Sequence, residues 1–215
     1  LIEALLPGGA RVTIPLPQDA TEQPADALPR IEVGGLPGAR VALRRGFEVE
    51  GGLVVRVACV EAPSDRWAPG VEELALGVAS GLARGAVAKE VALERWDAAP
   101  IVKTDHRFEQ RIEGAGVRRD VEVALRGRHL LGFAGEAREA VLCTVVCDEP
   151  SDGARCGALV DGTEMSSLVE PPPPSALVKG ILLAAERPRE AGLVGALVCL
   201  GVVSLILARR PRPRR

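Results

Sequence analysis

The chain has 215 residues, is 47% apolar and 2% aromatic, and carries 24 Gly, 17 Pro and a net charge of −2. This excludes a disordered chain, a coiled coil and a polytopic membrane protein, and leaves room for one core of ordinary size. The charge is unevenly spread: Arg209, Arg210, Arg212, Arg214 and Arg215 end the chain, so residues 1–208 hold 22 basic against 29 acidic residues, and so acidic a body argues against nucleic-acid binding.

At the start, Leu1–Pro7 is too short for the apolar region of a signal peptide and lacks a basic n-region, so a truncation, a processed mature end or an unusual start codon is expected there. Residues 1–51 alternate Pro/Gly-rich loops with short apolar runs, Arg11–Leu16, Ile31–Val33 and Arg40–Phe47, which suit short strands. Gly52–Glu61, with Leu53, Val54, Val55, Val57, Cys59 and Val60, is a stronger strand. Pro69 then suits the first turn of a helix over 69–85, in which Val71, Leu74, Ala75, Val78 and Leu82 make an apolar stripe. Glu72 and Glu73 complement its N-terminus, and Gly77, Gly81 and Gly85 mark a close-packing seam toward a sheet.

Beyond the helix the apolar period changes from 3.6 to 2. Val87–Trp96, Thr104–Ile112, Val117–Leu125, Arg128–Phe133 and Ala140–Cys147 alternate, with turns expected at Gly114-Ala115-Gly116, Arg126-Gly127 and Gly135-Glu136. The expected product is an antiparallel meander. One face collects Phe108, Ile112, Val121, Val123, Leu125, Leu131, Phe133, Val141 and Val145. The other collects Asp105, Arg107, Glu109, Arg111, Arg118, Asp120 and Glu122. Pairing Arg107 with Asp120 and Glu109 with Arg118 would set opposite charges across the hairpin, so that register is expected over one pairing Glu109 with Asp120. Arg107, Glu109, Arg111, Arg118, Asp120 and Glu122 form the candidate interaction face.

A polar loop, Asp148–Arg155, leads to a helix expected over Cys156–Leu168, and Pro171–Pro174 ends the domain with about 12 Å of polyproline. Ser175 opens a short helix through Ala185. From Ala191 to Ala208 no residue is charged, and eighteen residues span about 27 Å as a helix, the thickness of a bilayer core. The arginines that follow place the C-terminus in the cytoplasm and the domain outside. The domains expected are therefore 1–170, a linker with a juxtamembrane helix over 171–190, a transmembrane helix over 191–208 and a tail over 209–215. A tail-anchored protein with its domain in the cytoplasm is the second topology. Small residues such as Ala191 and Gly195 would let two spans approach.

Short N-terminal strands, a helix, a five-strand antiparallel run, a Cys-bounded loop and a last helix, with the segments Gly52–Val60, Val141–Cys147 and Cys156–Val160, resemble the PsbP-like α/β/α sandwich over about residues 8–170. The resemblance implies an α+β fold and a binding or assembly role without catalysis. It carries over no binding residue.

Cys147 and Cys156 flank an eight-residue polar loop and suit a loop-closing disulfide in an oxidising compartment. Cys59 and Cys143 are expected as buried thiols, with a second bridge as the alternative, and Cys199 lies in the apolar span. His106 and His129 are too far from a ligand pair to complete a metal site, and both fall on apolar phases of their strands. Gly77-Val78-Ala79-Ser80-Gly81 is not a nucleophile elbow, and no phosphate loop or dinucleotide fingerprint occurs. No cofactor, no metal and no catalysis are expected. Arginine far outnumbers lysine, which is confined to Lys89, Lys103 and Lys179, as a GC-rich bacterial genome would give.

The expectation is a membrane-anchored binding or assembly module of a bacterial inner membrane, with the bilayer and a protein partner or second copy as partners. Two other readings stay open. One is a hydrolase or small-ligand carrier with its site between helix 69–85 and the sheet. The other is a surface protein whose C-terminal tail is a cleaved sorting signal.

Overall fold

The computed structural model describes residues 1–28, 30–31, 38–63, 79–81, 91–104, 106–136, 138–150 and 152–173. The chain divides into two compact units, Leu1–Pro172 and Pro173–Arg215. The expected helix 175–185, the transmembrane helix 191–208 and most of helix 69–85 lie outside the described residues.

The strands are β1 (Ile2–Leu5), β2 (Arg11–Ile14), β3 (Thr21–Glu22), β4 (Arg40–Val49), β5 (Leu53–Ala62), β6 (Val91–Ala98), β7 (Val102–Thr104), β8 (Arg107–Arg118), β9 (Val121–Ala134), β10 (Glu139–Glu149) and β11 (Glu164–Ser166), with the helix α1 (Ala154–Asp161) between the last two. An eight-stranded antiparallel sheet runs β3-β4-β5-β10-β9-β8-β6, with β7 also paired to β8, and a three-stranded sheet runs β1-β2-β11. This corrects the expected fold class. The described residues are mostly strand, with an eight-residue α1 and a helical fragment at Ala79–Gly81, in place of a PsbP-like α+β sandwich whose helices flank a sheet. Among the described residues no helix is long and apolar enough to cross a membrane. The last helix is shorter than the expected Cys156–Leu168. Gly162 caps α1, and Glu164–Ser166 are drawn off to pair with β2.

β5 and β10 lie side by side in mid-sheet and bury every residue but Glu139, as their nearly continuous apolar runs require. On one face Val55, Val57, Cys59, Val141, Cys143 and Val145 pack with Val12, Ile14 and Met165 of the small sheet and Cys156, Leu159 and Val160 of α1. On the other, Val60, Leu131, Phe133 and Leu142 pack with Ala79, and Val91, Val123, Leu125 and Val146 form a third cluster. Because Val141 opposes Gly132 and Val145 opposes Arg128, both valines lie on the face away from Leu131 and Phe133, not with them as the alternation alone suggested.

The expected hairpin register is also corrected. β8 and β9 are two long strands in which Glu109 opposes Leu130, Arg111 opposes Arg128 and Arg118 opposes Val121. Their turn is Arg119-Asp120, both at positive φ (50° and 66°), the backbone of a two-residue type I′ hairpin. Gly114 and Gly116 are strand residues. A Cβ on either would come within 2.7 Å of Arg95 O or 2.6 Å of Ala92 O, so the glycines admit the bulged edge strand β6. Gly127 likewise sits inside β9, opposite Ile112. The turn after β9 does fall at Gly135-Glu136, with Gly135 at φ 71°.

Candidate functional site

Strand alternation splits the six charged residues of the expected interaction face. Arg107, Glu109, Arg111 and Glu122 belong to the side of the sheet that carries α1, whereas Arg118 belongs to the opposite side and Asp120 sits in the turn. Glu109 accepts from Arg128 Nη2 at 2.5 Å. Arg128 Nη1 donates to the carbonyls of Asp161 (2.9 Å) and Thr163 (2.8 Å), and Arg111 pairs with the Asp161 carboxylate at 3.2 Å. Arg128 thus satisfies carbonyls at and just beyond the C-terminal end of α1, where the helix dipole favours positive charge, and Arg111 adds its charge there through the Asp161 side chain. On the opposite side Arg118 reaches the buried Asp148 at 2.7 Å and donates to Gly52 O, and Asp148 also accepts from the buried Arg56 at 2.7 Å. Two of the six, Asp120 and Glu122, are exposed and have no ion pair among the described residues. Arg107 is half-buried at the start of β8, and Asp105 lies outside the described residues.

Two disulfides anchor the α1 side. Cys147 is bonded to Cys156, which ties β10 to α1, and Cys59 is bonded to Cys143, its direct neighbour across β5 and β10. The second pair forms a bridge where buried thiols were expected. The buried Glu149 carboxylate accepts the N–H groups of Arg155 (3.1 Å) and Cys156 (3.4 Å), so it caps the first turn of the helix that the bridge holds. Cytosolic thiols are kept reduced, so two buried disulfides fit an extracytoplasmic domain.

The face that carries Ala79 holds a polar row, buried at Thr144 and His129 and half-buried at Gln110. Thr144, His129 and Gln110 are successive neighbours on β10, β9 and β8. His129 Nδ1 lies 2.9 Å from Thr144 Oγ1, and burial pushes the imidazole pKa down to about 3. Gln110 Nε2 donates to Ala99 O at 3.0 Å, which leaves its Oε1 and His129 Nε2 without a hydrogen-bond partner among the described residues. The row separates the apolar cluster around Leu131 and Leu142 from the one around Leu125 and Val146.

No protein-family model matches the sequence, and no curated protein matches it. The structure is similar, at a TM-score of 0.40 and 9% identity over 74% of this chain and 86% of the other, to LpqN, which is involved in cell envelope biogenesis of Mycobacterium tuberculosis.

Among the described residues no group of three His, Cys, Asp or Glu side chains is placed to hold a metal. Sequence reasoning missed the buried charges Arg56, Glu61, Asp148 and Glu149. Glu61 accepts from Gly8 N at 2.7 Å and from Arg40 at 2.8 Å, and Arg40 also meets Glu139 at 3.0 Å. The available signal was a charge inside a valine run, as with Arg56 between Val55 and Val57. Such a residue is either solvated at an edge or paired in the interior, and β5 is central.

Proposed function

We propose that the chain is a non-catalytic extracytoplasmic binding or assembly module of the cell envelope, engaging a protein partner or a second copy. The observation that carries this reading is the pair of buried disulfides radiating from β10. They lock strand to strand and strand to helix, which suits a rigid presenting scaffold in an oxidising compartment. The exposed Asp120 and Glu122 at the end of the β8–β9 hairpin, with Arg107 at the other end of β8, are the members of the charged set free to meet a partner. The uncharged run 191–208 and the five arginines after it support a location at a bacterial inner membrane, with the tail inside, on the sequence alone. The test is a triple charge reversal, Arg107→Glu, Asp120→Lys and Glu122→Lys, followed by crosslinking in intact cells. Loss of wild-type crosslinks with an unchanged far-UV circular dichroism spectrum supports the reading, and an unchanged crosslink pattern removes this surface from it.

The polar row Thr144–His129–Gln110 favours a second reading, a small-ligand carrier with its site on the face that bears Ala79, because a wholly apolar seam would have left nothing there for a polar ligand to meet. A compound that raises the melting temperature of the wild type but not of a His129→Leu variant supports it. A panel of polar metabolites that shifts neither protein, or both alike, counts against it.

A further inference from the structure

We draw no further inference here: the strongest candidate, the Thr144–His129–Gln110 row on the sheet face that carries Ala79, belongs to the site already described, and nothing among the described residues shows what lies opposite His129 Nε2 and Gln110 Oε1.

Discussion

His129 is the residue whose chemistry is most changed by folding. Its ring is fully buried beside Thr144, and its pKa falls from 6.5 to about 3. The unfolded chain therefore binds a proton that the folded chain refuses. The sign follows: this contribution to stability is complete above pH 6.5 and is lost as pH falls toward 3, at about 1.4 kcal/mol per pH unit. Between pH 7.5 and pH 4.5 it removes about 3 kcal/mol. His129→Leu lacks this loss and leaves the Thr144 hydroxyl without its ring partner, at about 1–3 kcal/mol. Urea unfolding of both proteins at the two pH values checks this, and equal losses on acidification would refute it. The sequence placed His129 on an apolar phase, which is where it lies. It did not disclose Arg56–Asp148, because those partners are 92 residues apart and meet only through the pairing of β5 and β10.

The hairpin β8–β9 shows where local signals mislead at the level of elements. Gly114 and Gly116 carry the usual mark of a turn, yet they are glycines because β6 backbone crosses too close for a Cβ. The real turn, Arg119-Asp120, carries little turn signal, since neither residue is Gly and both adopt positive φ. Opposite outcomes follow for two substitutions. Gly116→Ala must displace Ala92 O or Val91 and is expected to destabilise by about 1–3 kcal/mol. Asp120→Gly relieves a left-handed backbone and is expected to stabilise by about 1 kcal/mol. Thermal unfolding of the two variants separates this geometry from a turn at Gly114–Gly116, for which Gly116→Ala would leave β6 undisturbed. The central strands were legible for the converse reason: β5 and β10 are buried on both faces, so their long apolar runs need no correct phase to be recognised.

For the whole molecule, the order of strands in the large sheet came from outside the local pattern. β10 inserts beside β5 and pairs Cys59 with Cys143 across 84 residues, whereas the Cys147–Cys156 bridge closes a local loop. That difference in loop length predicts unequal worth. Replacing Cys147 and Cys156 with Ala is expected to cost about 2–3 kcal/mol, and replacing Cys59 and Cys143 about 4–5 kcal/mol, on the chain-entropy account. Denaturant midpoints of the two double variants compare them directly. Among the described residues the expected last helix lost its C-terminal part, because Glu164–Ser166 are drawn into pairing with β2. The most direct test of the account is non-reducing peptide mapping by mass spectrometry of the protein isolated, with thiols blocked, from the cells that make it. A disulfide-stapled extracytoplasmic module predicts linked peptides for Cys59–Cys143 and Cys147–Cys156. Recovery of all four cysteines as blocked free thiols would contradict it.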